Sequence, residues 1–162
     1  MEHTVVTAQA FLNHWQSHRR LTRRVIAAFP EDKLFTYSIG GMRPFSGLAL
    51  EMLYMGAGGI QGTVTGNWTD TGALRHQSGS GVPETKADLL AHWDALTEEI
   101  DALWPKIPEG RFQENDKVFN AYPARIYEGL LYLVDNEIHH RGQGYVYLRS
   151  LGIEPPAFWD RQ

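Results

Sequence analysis

Apolar residues recur every three or four positions in four segments of the chain, the spacing that is typical of helices. The first segment runs from about Thr4 to Phe29 and should end at Pro30, because proline interrupts helical hydrogen bonding. The second begins at Pro44, which suits the first turn of a helix, and is apolar nearly all round. Its later half contains small residues that should let another helix or a ligand approach: Gly56, Gly58, Gly59 and Gly62. The third has the clearest apolar stripe, formed by Leu89, Trp93, Leu96, Ile100 and Leu103.

Polar and glycine-rich stretches separate these segments and are predicted to be surface loops without strands. They run from Gly66 to Pro83 and from about Glu109 to Tyr122. Thr85 and Asp88 resemble a capping box at the start of the third helix. The fourth helix is predicted from Pro123 to Leu151, because Gly152 and the two prolines after it stop a helix. Four helices without a strand pattern predict an all-α, up-down four-helix bundle in one domain, residues 1–162.

Composition and charge exclude several classes of protein. The formal net charge is −4 and the basic residues form no long run, which argues against a nucleic-acid partner. The one basic group is interpreted as a solvated helix face: Arg19, Arg20, Arg23 and Arg24. Cysteine is absent, so disulfides and thiolate metal sites are excluded. Without a signal-peptide pattern or an apolar run of membrane-spanning length, the chain is expected to be cytoplasmic and without a membrane partner.

The unusual segment is 136–143, inside the fourth predicted helix. Asn136 and His140 are four residues apart and share a helix face, whereas His139 points about 100° away from His140. Glu137 and Arg141 share the neighbouring face, where they are expected to form a helix ion pair. Gly142 weakens a helix, so close packing or access for a ligand is expected there.

This segment and its surroundings resemble the DinB/YfiT-like family. The resemblance rests on the run His-His-Arg-Gly-Gln at 139–143, Tyr-Leu-Arg at 147–149 and Leu-Gly-Ile-Glu-Pro-Pro at 151–156. Gly-Met-Arg at 41–43 and Leu-Ala-Leu at 48–50 resemble the start of that family's second helix. These motifs and the order of the helices extend the resemblance over essentially the whole chain.

The resemblance implies a bundle in which three histidines hold a divalent metal, commonly zinc or nickel. Here the corresponding positions are Glu51, Asn136 and His140, so only one imidazole is retained. One nitrogen and two oxygen ligands suit zinc less well, and magnesium, manganese or calcium relatively better. The resemblance also implies a metal-dependent enzyme, a hydrolase or thiol S-transferase acting on a small-molecule or thiol substrate. It further implies a homodimer, which the abundance of large aromatic residues also favours.

Two interpretations of the altered site stay open. The three residues are either the ligands of a metal, or a metal-free polar core in which Glu51 bonds to His140 while Asn136 satisfies a remaining lone pair. In the second case the protein is a dimeric small-molecule-binding or stress-associated protein without catalytic activity. A different helix register would keep the groups apart. His14 and His18 also have ligand spacing but are interpreted as surface or interface residues, and Tyr132 is placed to reach a bound ligand.

Overall fold

The structure is a computed structural model that describes residues 5–68 and 82–162. Its described residues form five helices and one antiparallel hairpin. In chain order the elements are α1 (Ala8–Ala28), α2 (Glu31–Thr36), α3 (Phe45–Thr65), α4 (Lys86–Leu103), β1 (Asn115–Val118), β2 (Tyr122–Arg125) and α5 (Ile126–Ser150). Helices α1 and α3 each pack against both α4 and α5. The prediction of a mainly helical chain is therefore confirmed, and the up-down four-helix topology stays a prediction.

The helix ends follow the local chemistry that the sequence indicates. Thr85 is the N-cap of α4, and its hydroxyl oxygen accepts a hydrogen bond of 3.1 Å from the backbone N–H of Asp88, as predicted. At the other end of the chain, Gly152 has φ +76°, a conformation that glycine adopts without steric strain. The N–H of Ile153 bonds to the carbonyl of Leu148 at 2.9 Å, which completes a capping turn after α5.

Small residues in α3 allow the close packing that the sequence predicts for them. A β-carbon on Gly59 would lie 2.3 Å from Leu133 Cδ1, and one on Gly62 would lie 2.0 Å from the ring of Trp68. Both glycines remain inside a continuous helix, in spite of their low helix propensity. Tight contact between α3 and its neighbours is what offsets that low propensity.

Two predictions about the loops are wrong. The segment 109–122 was expected to lack strands, but β1 lies within it and pairs with β2, with Asn115 opposite Arg125 and Val118 opposite Tyr122. Pro123 belongs to β2, so α5 begins three residues later than predicted, at Ile126. Short helix α2 was also missed. The predicted loop from Gly66 to Pro83 lies mostly outside the described residues.

Among residues 5–68 and 82–162, no helix is both long enough and apolar enough to cross a bilayer.

Candidate functional site

Glu51 on α3 faces Asn136 and His140 on α5, as the resemblance requires. His140 Nε2 lies 3.0 Å from Glu51 Oε1, and because a carboxylate can only accept, the imidazole N–H donates. The Asn136 amide donates to the same oxygen from Nδ2 at 3.3 Å. The three predicted site residues therefore converge, in the hydrogen-bonded arrangement of the metal-free interpretation.

Two further residues complete this group, and the sequence interpretation assigned no role to either. Arg43, just before α3, donates from Nη2 to Glu51 Oε2 at 2.5 Å. Gln143 lies one turn after His140, with its Oε1 2.7 Å from His140 Nδ1. Both stand in the motifs that carry the family resemblance, and their positions in those motifs were the available signal. These five residues are called the central cluster below: Arg43, Glu51, Asn136, His140 and Gln143.

The charge of Glu51 is stabilised from several sides. Burial opposes its ionisation, but hydrogen bonds from Arg43, His140 and Asn136 together lower the pKa of Glu51 to about 2. Access to solvent increases across the cluster, since the exposed fraction is 9% for the His140 side chain, 20% for Glu51 and 47% for Arg43. The carboxylate is thus ionised at neutral pH and already paired with a cation at the edge of the protein.

The donor set of the central cluster does not fit the three-imidazole metal site that the resemblance implies. Both oxygens of Glu51 already accept hydrogen bonds, from Arg43 on one side and from His140 and Asn136 on the other. Asn136 turns its amide nitrogen, which cannot ligate a cation, towards the carboxylate. In the part of the chain that the structure describes, no three His, Cys, Asp or Glu side chains are grouped to hold a metal ion. Ligation by Glu51, Asn136 and His140 stays a prediction.

A second polar group, which we call the buried ion network, joins α1 to α5. Glu137 accepts a hydrogen bond of 2.6 Å from the hydroxyl of Thr22 and lies 3.9 Å from a guanidinium nitrogen of both Arg19 and Arg141. Arg141 also donates to His18 Nδ1 at 2.9 Å. The predicted Glu137–Arg141 ion pair is present, but both side chains are buried in the protein.

The burial of Arg19 and His18 corrects two predictions. Arg19 was placed on a solvated helix face, but its side chain is 1% exposed and lies over the ring of Trp93, 4.1 Å from the ring centre. His18 was interpreted as a surface or interface residue, but it is buried. Burial, followed by the charges of Arg141 and Arg161, lowers the pKa of His18 to about 3. It is therefore a neutral acceptor in the network, while His14, 3.2 Å away between the two Nε2 atoms, is exposed.

The remaining sequence candidates lie outside both groups. Tyr132 and His139 are exposed on α5. Gly142 was expected to allow close packing or access for a ligand; a β-carbon there would meet nothing within 4 Å, so the expectation of close packing is wrong and access for a ligand stays a prediction. The close contact is made two residues later, where a β-carbon on Gly144 would lie 2.5 Å from the ring of Phe45.

Comparison with known proteins gives one consistent result. The model of the DinB family matches residues 1–161. A DinB-like protein from Bacillus cereus ATCC 10987 has a similar structure, with a TM-score of 0.71 and 17% identity, covering 93% of this chain and 97% of that one. The DinB-like protein YjoA from Bacillus subtilis gives a TM-score of 0.71 and 21% identity, covering 91% and 96%. No curated protein matches the chain.

Proposed function

Since the chain belongs to the DinB family, we propose that it is a small-molecule-binding member without catalytic activity, whose central cluster works without a resident metal. In this proposal the positive charge that a metal brings to the family site comes from the guanidinium of Arg43. The cluster then serves as a polar contact that fixes α3 against α5. The proposal also keeps the predicted topology, in which the four long helices α1, α3, α4 and α5 form an up-down bundle.

The observation that carries this proposal is that the polar groups of the central cluster form hydrogen bonds with one another. Each oxygen of Glu51 and each ring nitrogen of His140 already has a partner within the chain. A general base needs a free lone pair within reach of a substrate proton, and neither nitrogen of His140 has one in this arrangement. The cluster therefore resembles a satisfied polar core more than a catalytic group.

Titration with divalent cations tests the proposal. We expect protein purified without an affinity tag to contain no stoichiometric metal and to give no saturable heat with Zn²⁺, Ni²⁺ or Mn²⁺. The double variant Glu51→His/Asn136→His should bind Zn²⁺ far more tightly, because it recreates three imidazoles around an open fourth position. Its melting temperature should rise when Zn²⁺ is present, because a ligand that binds only the native state stabilises it.

Matched variants make the result decisive. Each single change should give only part of the gain, and His139→Ala should leave the gain of the double variant intact, because His139 is exposed and outside the cluster. Tight stoichiometric binding of a metal by the natural chain would overturn the proposal. If a folded double variant binds no Zn²⁺, positions 51, 136 and 140 do not form the family site.

The second candidate is a metal-dependent enzyme of the hydrolase or thiol-transferase kind, with Glu51, Asn136 and His140 as ligands. The observation in its favour is that Glu51 Oε1 lies within hydrogen-bond distance of both other residues. For this role Arg43 must leave the carboxylate and Asn136 must present its carbonyl oxygen instead. Arg43→Ala tests that requirement, since it should reveal Mn²⁺ or Mg²⁺ binding in the same titration if Arg43 alone excludes the metal.

A further inference from the structure

A cleft of about 360 Å³ lies between the end of α5 and the segment that follows it. Its walls contain an arginine, a glutamate, two prolines and three aromatic residues. We call it the terminal cleft, lined by Tyr145, Arg149, Glu154, Pro155, Pro156, Ala157, Phe158 and Trp159. It shares no residue with the central cluster, and its volume is sufficient for a small organic molecule.

One buried donor without a partner belongs to the wall of this cleft. Among the residues that the structure describes, the Tyr145 hydroxyl finds no hydrogen-bond partner although its oxygen is buried, and Tyr145 lines the cleft. Buried polar groups are nearly always paired, so an unpaired hydroxyl in a cleft wall needs an explanation. This hydroxyl can donate to an acceptor on a ligand.

The charge around Tyr145 is predominantly positive. The charges that act on its hydroxyl are those of Arg141, Arg24 and Arg149. Arg24 is bonded to Asp160 at 2.9 Å, and Arg141 lies in the buried ion network. Arg149 has a weaker partner, because Glu154 is 3.5 Å away and the two side chains are 62% and 82% exposed. Ion pairs this exposed contribute little, so an anionic ligand can displace Glu154 from Arg149.

The same cleft presents apolar surface to solvent. Phe158 and Trp159 are 61% and 75% exposed, and their rings pack edge to face with centres 5.3 Å apart. Large aromatic side chains exposed together in a cleft are typical of binding sites, since their rings give contact area with few rotatable bonds. Pro155 and Pro156 add rigid apolar wall on the same segment.

We propose that the terminal cleft binds a small aromatic carboxylate, whose charged group meets Arg149 and the Tyr145 hydroxyl while its ring packs against Phe158 and Trp159. This deepens the proposed function by naming a site and a ligand class, and it rests on that proposal only for the general role of small-molecule binding. The carboxylate supplies an acceptor for the Tyr145 hydroxyl, and it brings negative charge to a region rich in arginine.

Titration of the full chain with benzoate, followed by ¹H–¹⁵N NMR, tests this proposal. We expect the indole N–H resonance of Trp159 to shift saturably, whereas neutral benzyl alcohol and cationic benzylammonium should produce no comparable shift. Phenyl phosphate, which carries a different anionic group on a phenyl ring, should also bind. Equal binding of benzyl alcohol would show an apolar groove without anion recognition, and preference for benzylammonium would show a cation site. Either result overturns the proposal.

Variants of the cleft distinguish specific binding of benzoate from non-specific adsorption. Arg149→Gln should weaken benzoate binding about tenfold, the effect of losing one charge-assisted hydrogen bond. Tyr145→Phe keeps the ring and should weaken binding about threefold. Glu154→Gln should tighten binding about twofold, because it frees Arg149 from its exposed partner. Misfolding would weaken benzoate binding, so it cannot explain tighter binding by Glu154→Gln.

Arg23→Gln is the matched control, since Arg23 forms a partly exposed ion pair with Asp94 and is not part of the cleft wall. It should leave benzoate binding unchanged. If Arg23→Gln weakens binding as much as Arg149→Gln does, the interaction is general electrostatic attraction and the proposal fails. The metal titration of the central cluster is independent of these results, so failure of one proposal is distinguishable from failure of the other.

Discussion

Arg43 and Glu51 show how one exposed side chain can change the chemistry of a half-buried carboxylate. The guanidinium of Arg43 approaches Glu51 from solvent, while His140 and Asn136 hold the other carboxylate oxygen from the protein interior. A carboxylate held between these donors favours its charged form over a wide pH range. The consequence for function is that a metal ion must compete with a cation that is already part of the chain.

The pH dependence of Glu51 gives a prediction at this scale. The pKa of Glu51 is lowered from its ordinary value of 4.5 to about 2, so its stabilising contribution is complete above pH 4.5 and is lost as pH falls towards 2. We expect the side-chain carboxyl carbon of Glu51 to titrate near pH 2 in ¹³C NMR. The stability difference between the natural chain and Glu51→Gln, measured by urea denaturation, should shrink between pH 4.5 and pH 2.

Arg43→Ala serves as the control for that experiment. Without the guanidinium, the pKa of Glu51 should move back towards 4.5, since the hydrogen bond from Arg43 is lost while burial still opposes ionisation. A titration midpoint for Glu51 near 4.5 in the natural chain would contradict the ion pair described here.

The convergence of Glu51, Asn136 and His140 and the hydrogen bonds among them were predictable, whereas their further partners, Arg43 and Gln143, were not. Positions 136 and 140 share a helix face by spacing alone, and the resemblance brings position 51 opposite them. The approach of Arg43 depends on the path of the chain before α3, which no periodicity describes. The burial of Arg19 was missed because its partners are far along the chain: the carbonyl of Trp93 and the carboxylate of Glu137.

At the scale of elements, the buried ion network connects three helices. Arg19 donates to the backbone carbonyl of Trp93 on α4 at 3.0 Å, and Glu137 joins α1 to α5 through Thr22. One carboxylate lies between two guanidinium groups, Arg19 and Arg141, so the three charges do not cancel. Removing the negative charge leaves two buried cations without a counter-ion, whereas removing Arg19 leaves the Glu137–Arg141 pair.

This asymmetry predicts an order of stabilities. We expect Glu137→Gln to lower the free energy of unfolding by about 3–5 kcal/mol, the range for breaking a buried ion pair from one side. Arg19→Met should have a smaller effect, because Arg141 still balances Glu137. Adding Arg19→Met to Glu137→Gln should recover part of the loss. Urea denaturation at pH 7 measures all three, and an equal or larger loss in Arg19→Met than in Glu137→Gln would exclude this account.

The elements themselves were predictable to different degrees. The helices follow from apolar spacing and from caps such as Thr85, which local sequence controls. The hairpin depends on a turn in which Phe119 and Asn120 have φ of 55° and 56°, a conformation uncommon for residues other than glycine. Its strands have four residues each and contain Pro123, so they lack the pattern by which strands are usually identified.

At the scale of the whole molecule, α5 has an apolar stripe exposed to solvent. Its three exposed aliphatic residues are Leu131, Ile138 and Val146, which extend over about 22 Å along the helix. Gly142 lies between the last two, and its backbone is open to a neighbouring chain. Asp135 lies on the same face between Leu131 and Ile138, and His139 lies at its edge. Exposed aliphatic residues with polar neighbours on one face are compatible with a homodimer interface.

We therefore predict that the chain forms a homodimer through this stripe. The natural protein should sediment as a dimer at tens of micromolar concentration, an ordinary test range for dimers. Ile138→Lys should shift it to the monomer, because two lysines would meet across a two-fold interface without counter-charges. Tyr122→Lys is the control: Tyr122 is 67% exposed on β2, away from the stripe, so this variant should remain dimeric. A natural chain that sediments only as a monomer would contradict the dimer. A dimer unaffected by Ile138→Lys would place the interface on another face, since a buried pair of lysines at the centre of a contact destabilises it far more than one at the rim.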